Sequence, residues 1–529
     1  MPGGGLFSLV AYGTQNILLS GNPDFTYFYK IYKKYSHFAE ESLSFAMDGP
    51  QELSYDQSIQ VRFKVERTAD LIRDLYFVFT LPDIYCKFVD LPLTTVTPQR
   101  TAQYNFSWVN FIGCHIIQSI GFYIGGQKIQ EFDGTYLMIK AQSDLDGNAY
   151  KKWERLVGNV PDLYDPANGR YGGGSTGVGY PLVYNNNGPM GDPATPPNAN
   201  RPSIKGRQIQ VPIPFWFAES TFGALPLIAL SLHECEIRIS LRPINQLYRI
   251  LDANGYSVAP GYQYNPSPVP QQPDNVYYTS VGDITDVTIN NFLTDVGVPK
   301  PLINTWQLNP RIQVTYVYVT DEERQQFSSE PLQYLIRQVS RFDFGSIASR
   351  QLVMLDIHGP MERMLIVPRR SDSLTYRNQP TNFTNWVKPE RSSFIPTDGG
   401  WTDTVNLISS SGQQIQNGQR SILRGLTMIG DGILLQEEKP IEYYTQVVPW
   451  KYTEGNPDEE LVIYPFGLTS PTQQPHGSIN CSRIRKLQLD LDVNPLPINS
   501  FYKYNITTYV ESLNWVTIAS GMGGLKYAL

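Results

Sequence analysis

Five apolar blocks in the first half of the chain recur, in the same order, in the second half. Leu71-Ile72-Arg73-Asp74-Leu75-Tyr76-Phe77 has a counterpart in Met361-Glu362-Arg363-Met364-Leu365-Ile366-Val367. Ile124-Gly125-Gly126-Gln127-Lys128-Ile129 is echoed by Ile429-Gly430-Asp431-Gly432-Ile433-Leu434, and Pro214-Phe215-Trp216-Phe217 by Tyr464-Pro465-Phe466-Gly467. The alternating stretch Glu234 to Leu241 returns as Lys486 to Val493, and Val314 to Val319 returns near Ile506 to Val516. No single match is compelling. Their common order points to two similar β domains in tandem.

The period within the blocks supports strands. Ile59, Val61, Phe63 and Val65 alternate with polar residues, the pattern of a sheet with one buried face. Leu75 to Leu81 is nearly continuous apolar sequence, as a strand buried on both faces requires. Ile116 to Ile124 runs into Gly125-Gly126, a hairpin turn signal. Composition agrees: 34 Tyr, 24 Phe, 40 Pro and 42 Gly against only 17% charged residues favour strands cut by turns.

An eight-stranded sandwich needs only about 80–100 residues. The 529 residues therefore leave a surplus for loops. Two stretches lack periodicity, near 158–206 and 252–304, and loops of that length tend to be functional or disordered. Thr320 and Glu323 have capping-box spacing, with Pro331 closing the segment, so a short helix over 321–330 is expected to join the halves. At the other end, residues 1–23 read as an apolar, Gly-rich arm. Asn22-Pro23 is an N-cap and N1 signal for a helix carrying Phe25, Phe28, Tyr29 and Tyr32, with Lys30, Lys33 and Lys34 on its solvated face.

Binding and catalytic signatures are weak throughout. The net charge of −7 and the lack of clustered Lys and Arg argue against direct nucleic-acid binding. His233-Glu234 opens like a zinc-protease motif, but no second His follows four residues later, so a strand-edge His is expected. Gly172 to Gly177 lacks the Lys-Ser/Thr of a phosphate loop. Asp144, Asp146 and Asn148 begin like a calcium loop, but Ala149 stands where Gly is needed. Glu322-Glu323 and Glu459-Glu460 are adjacent carboxylates in hydrophilic segments and are expected on the surface. No catalytic residue, metal site or cofactor is expected. Four distant cysteines, Cys86, Cys114, Cys235 and Cys481, suit a reducing place of synthesis. The opening has no basic n-region, and the apolar stretch Phe222 to Leu232 is broken by Pro226, so neither a secretory leader nor a transmembrane span is expected. Asn105, Asn382, Asn480 and Asn505 head glycosylation sequons, which matter only if the chain meets the modifying machinery; Asn382, in a polar stretch, is expected to be the most exposed.

Several blocks together resemble the major capsid proteins of nucleocytoplasmic large DNA viruses. Leu9-Val10-Ala11-Tyr12-Gly13-Thr14-Gln15, Leu19-Ser20-Gly21-Asn22-Pro23 and Tyr32 to Ser42 are similar to the family opening. Leu225-Pro226-Leu227-Ile228-Ala229-Leu230 with His233-Glu234 resembles its central signature. Asp321-Glu322-Glu323-Arg324, Phe327 and Tyr334-Leu335-Ile336 resemble the segment between its two jelly rolls. Asn480-Cys481-Ser482-Arg483-Ile484 and Ser520 to Ala528 resemble its C-terminal signatures, although Arg485-Lys486 stands where the family commonly has an acidic residue.

The resemblance implies an all-β fold of two consecutive eight-stranded antiparallel jelly rolls. The first would span 24–320 and the second 331–518, with a C-terminal tail over 519–529. It further implies a homotrimer, a pseudo-hexagonal capsomer that meets neighbouring capsomers in an icosahedral shell. Minor capsid proteins would contact the inner face. The two long loops would form outer projections, with glycans on them, and protease should cut intact particles there first. The place would be the virion capsid, assembled in the host cytoplasm. A minor capsid paralogue of the same fold, or a carbohydrate-binding jelly-roll protein, are the competing readings.

Overall fold

The computed structural model describes residues 3–23, 26–27, 34–86, 88–90, 101–103, 105–166, 180, 202–251, 257–258, 289–294, 298–299, 301–302, 304–375, 378–385, 406–408, 414–416, 421–470, 474–496 and 502–527. Most of the two long aperiodic stretches, and most of the helix expected after Pro23, lie outside these residues.

The first half is built on eight strands: β1 (Phe38–Ala46), β2 (Ile59–Lys64), β3 (Leu71–Thr80), β4 (Ile117–Ile124), β5 (Gln127–Phe132), β6 (Gln208–Pro212), β7 (Cys235–Leu241) and β8 (Arg311–Val319). They form two antiparallel sheets, in the orders β1-β8-β3-β6 and β2-β7-β4-β5. The second half uses β9 (Leu332–Ile347), β10 (Gln351–Leu355), β11 (Pro360–Arg370), β12 (Leu423–Gly430), β13 (Ile433–Leu434), β14 (Val462–Pro465), β15 (Leu487–Val493) and β16 (Tyr504–Ala519). Their orders are β9-β16-β11-β14 and β10-β15-β12-β13. Adding eight to each label turns one half into the other. This is the jelly-roll order, made twice.

Four of the five sequence echoes fall on equivalent elements: β3 with β11, the β4–β5 turn with the β12–β13 turn, β7 with β15, and β8 with β16. The other does not, since Pro214 to Phe217 lies past β6 and enters a short helix over Trp216–Glu219, whereas Tyr464-Pro465 ends β14. The local causes are the same in both halves. In β7, Cys235, Ile237, Ile239 and Leu241 point inward and the residues between them are half exposed. In β2, Val61 and Phe63 are buried while Gln60, Arg62 and Lys64 face solvent. The β4–β5 turn places Gly125 and Gly126 at φ of 57° and 85°, and the β12–β13 turn places Asp431 and Gly432 at 48° and 84°. Two consecutive positive φ values are what a two-residue hairpin needs to follow the strand twist. One continuous hydrophobic cluster, including Val61, Phe77 and Ile237 from one half and Leu365, Leu489 and Val510 from the other, runs through both sandwiches.

The arm folds into α1 (Gly4–Val10) and α2 (Thr14–Ser20), neither with a buried residue. Two helices unforeseen in the sequence follow β5: α3 (Gly134–Asp144) and α4 (Gly147–Leu156). The connector is α5 (Asp321–Ser329). The capping box expected there is not formed, because the Thr320 side chain makes no cap bond. Asp70 anchors the helix start instead, accepting from Val319 N at 3.1 Å and from Arg324 Nε at 3.0 Å. The acidic first turn, Asp321 to Glu323, still suits the positive end of the helix dipole.

The Gly-rich tail is a strand rather than a free end. Met522–Leu525 folds back on β16 after a turn at Ser520-Gly521 and reaches the first roll. There Leu232 N donates to Gly521 O at 2.9 Å, and the strand-edge His233 accepts at Nδ1 from Gly523 N at 3.2 Å.

Candidate assembly surfaces and the seam between the rolls

The two rolls meet where strand edges and a helix come together. β5 ends one sheet of the first roll and β9 ends one sheet of the second. They are bridged by side chains rather than by a backbone ladder: Gln130 Nε2 donates to Arg337 O at 2.7 Å, and Gln338 Nε2 donates to Ile129 O at 3.0 Å. Beside this joint, one face of β11 and β16 packs against α3. That explains why β11 is buried over ten of its eleven residues, charged ones included.

Arg363 of β11 is the centre of this packing. Its Nε and Nη2 donate to Glu511 of β16 at 2.8 and 2.9 Å. Its Nη1 and Nη2 donate to Asp144 of α3 at 2.7 and 2.8 Å, and Nη1 also reaches Ser470 Oγ at 3.0 Å. Ser470 donates to Asp144 as well, and Tyr136 OH donates to Glu511 at 2.8 Å. Lys140 lies 3.3 Å from Asp144 and 3.1 Å from Glu219. Arg337 lies 3.7 Å from Glu219 and 2.6 Å from Glu362. Tyr136, Lys140, Asp144 and Glu219 come from the first roll, and the rest from the second. Charges of alternating sign therefore stitch the rolls together. Burial would push the Asp144 and Glu511 carboxyls up, but Arg363 and Lys140 outweigh it and hold both below the usual carboxylate range. Burial wins at Glu362, whose carboxyl is raised despite Arg337.

A second junction centres on Asp133, the N-cap of α3. It accepts from Tyr136 N at 2.7 Å, from Arg341 Nη1 at 2.8 Å and from Tyr509 OH at 2.7 Å. Gly455 completes the contact on the far side, its N–H donating to Ser143 O at 2.9 Å. A Cβ at Gly455 would overlap Gln142 O, so only glycine permits this approach. Breaking a buried pair by removing one partner is costly, which makes the relative pose of the rolls hard to change.

In the sequence Asp144 shows only the start of a broken calcium-loop pattern, and this network is not legible there. The available signals were the two caps, Asp133 and Asp146, and the absence of Gly and Pro from 135 to 146, which together mark α3. The partners of Asp144, 219 and 326 residues away in Arg363 and Ser470, have no local signal.

The other sequence candidates scatter. Glu322 and Glu459 are exposed and Glu323 is half-buried, whereas Glu460 is buried, contrary to expectation. Asn382, expected to be the most exposed sequon, is buried: its Nδ2 donates to Gln379 Oε1 at 2.9 Å and its Oδ1 accepts from Thr384 Oγ1 at 2.8 Å. Asn105 is buried in a short strand, while Asn480 and Asn505 are exposed. Among the described residues no His, Cys, Asp and Glu group could hold a metal ion, and no helix is long and apolar enough to cross a membrane.

The surface also carries exposed apolar side chains. Phe222 and Leu232 protrude from the first roll, and Val447, Trp450 and Leu468 from the second. The arm adds Leu6, Phe7, Leu9, Val10, Ile17, Leu18 and Leu19.

Comparison with known proteins agrees with the topology. Residues 26–278 match a family model described as major capsid protein N-terminus, and residues 323–524 match one described as large eukaryotic DNA virus major capsid protein. The chain is 22% identical over 634 residues to a major capsid protein of Chrysochromulina ericina virus, covering 99% of this chain and 100% of that one. It is 22% identical over 557 residues to the major capsid protein of Paramecium bursaria Chlorella virus 1, with 99% of each covered. It is 23% identical over 578 residues to the probable capsid protein 4 of Acanthamoeba polyphaga mimivirus, again with 99% of each covered. Among solved structures, the Faustovirus major capsid protein superposes with a TM-score of 0.61 at 13% identity, covering 97% of this chain and 96% of that one. A chain of the PBCV-1 virus capsid does so with 0.59 at 17%, covering 95% and 100%.

Proposed function

The chain belongs to the large eukaryotic DNA virus major capsid protein family, and from that premise we propose that it forms trimeric, pseudo-hexagonal capsomers of an icosahedral shell. Its role is structural, as a capsid component of the virion. One observation carries the finer reading: both halves have the same strand order. Three copies of two like rolls present six like sides, and six like sides tile a plane. The seam supports the same reading, because a hexagonal outline needs the two rolls of each chain held at one fixed angle.

Within this reading, neighbouring capsomers take up the exposed apolar side chains. The arm and the inner face meet minor capsid proteins. The loops within 158–206 and 252–304 form the outer projections and carry any glycans, and assembly takes place in the host cytoplasm. The arm fits contact with a neighbour, since none of its helical residues is buried against its own chain.

Light scattering of the purified chain, with negative-stain images of its outline, tests the proposal. A trimer with a six-sided outline is the expected result. A monomer at all concentrations that binds glycans would favour a carbohydrate-binding jelly roll instead. Copy number in purified virions separates the principal shell protein from a minor paralogue, since the former dominates a stained gel.

A further inference from the structure

The charges at the first part of the seam are paired with opposite charges, but two cations are left over among the described residues. Arg242 directly follows β7, and its backbone N–H donates to Ile116 O at 2.9 Å. No described residue accepts a hydrogen bond from its guanidinium, and its Nε is buried without an acceptor. Arg369 of β11 is buried too. Among the described residues it donates only to the Thr135 hydroxyl at 3.3 Å and the Pro380 carbonyl at 2.7 Å, it lies over the Phe383 ring at 5.1 Å, and its Nε also lacks an acceptor.

These two cations converge on one place. Arg369 touches Thr135, and Arg341 touches Asp133, both at the start of α3. That start rests on the backbone of residues 114–117: a Cβ at Gly134 would overlap Cys114 O and stand 2.8 Å from Ile117 O. Arg242 is bonded to the same backbone at Ile116. Burial lowers the Arg242 guanidinium, with Asp133 opposing and Arg341 adding. Burial pulls Arg369 down to about 10, and Arg242 and Arg341 contribute in the same direction. The buried His115 ring is held well below its ordinary value by burial first, then by Arg242 and Arg369.

The one buried carboxylate nearby, Asp133, is already taken by Arg341, Tyr509 and Tyr136 N. Among the described residues, buried Arg369 and half-buried Arg242 thus have no carboxylate of their own, each keeps a buried Nε without an acceptor, and unsatisfied buried donors are expensive. Asp133, Arg341 and Tyr509 also line a groove of about 460 Å³ between the rolls. A guanidinium fork matches the oxygens of a phosphate or carboxylate.

We propose that the seam between the rolls binds a small inorganic oxyanion, of the phosphate or sulfate kind, between Arg242 and Arg369. Its oxygens take the donors that the chain leaves without acceptors. The ion then acts as the missing counter-charge of the joint, and its site exists only when both rolls are docked.

Calorimetric titration of the full chain with inorganic phosphate, against chloride at matched ionic strength, tests this. A saturable phosphate site is expected, with chloride weaker by about tenfold or more. Arg242→Gln should weaken phosphate by about tenfold or more, and Arg242→Lys, which keeps the charge and disturbs the fold least, should fall between the two. Arg424→Gln, whose residue pairs with Asp492 on the far sheet, should bind as the native chain does. A native chain that does not distinguish phosphate from chloride overturns the proposal. Equal phosphate binding by the native and Arg242→Lys chains, if Arg242→Gln also binds equally or does not fold, overturns it as well and marks an adventitious ion only.

Discussion

Arg363 and Glu511 face each other across β11 and β16 as a two-point pair, with Nε–Oε2 at 2.8 Å and Nη2–Oε1 at 2.9 Å, and neither side chain has any exposed surface. Asp144 reaches the same guanidinium from the other roll. One guanidinium therefore braces two strands of the second roll and bonds them to the first.

Replacing Arg363 by Met leaves two carboxylates buried side by side. The expected loss is about 3–5 kcal/mol, read from urea unfolding midpoints. A loss below about 1 kcal/mol would show that the pair is not what holds the seam.

The pH dependence follows from the shifts. Asp144 and Glu511 are depressed in the folded chain, so their contribution is fully present above the unfolded carboxylate values, about 4, and is lost as pH falls through the folded ones. Glu362 is raised, so it opposes them, costing stability as pH climbs past its unfolded value. Two against one, stability should rise from strongly acid conditions to about pH 5. In Arg363→Met the two carboxylates lose their cation and the slope should reverse. Identical slopes in both chains would contradict the assignment.

Gly455→Val puts a branched side chain against the α3 backbone, where even a Cβ overlaps Gln142 O. Overpacking of this kind costs about 1–3 kcal/mol. Because the clash lies between rolls, hydrogen exchange should quicken in α3 and near Gly455 while β7 and β15 stay protected. Uniform quickening would mean that the rolls do not yield separately.

Of the four sequons, Asn480 and Asn505 are exposed and Asn105 and Asn382 are buried. Peptide mapping of chain made in a glycosylating host should find any glycan on the first two. A glycan on Asn382 of natively folded chain would refute this placement, since both ends of its amide are engaged.

Much of the architecture could be read along the chain. The alternation in β2 and β7, the paired turn residues at Gly125-Gly126 and Asp431-Gly432, and the ordered echoes all report local periods that a sheet imposes on its own sequence. The connector at α5 was visible for the same reason, although its anchor was not: Asp70 replaces the expected Thr320 cap from 250 residues away. The exposure of Asn382 was misjudged because a polar stretch resembles a surface loop until another part of the fold covers it.

The sequence by itself thus determined that there are two like sandwiches and where their strands run, because side-chain alternation and turn chemistry act over a few residues. The tertiary structure alone decided how the two are joined. Asp144 and Glu511 meet at Arg363, Gln130 meets Arg337, and Arg242 Nε is left without an acceptor, because docking one sheet face on α3 brings together groups hundreds of residues apart. Burial then makes those few charges matter, since a carboxylate or guanidinium out of water must find its partner wherever the chain happens to supply one.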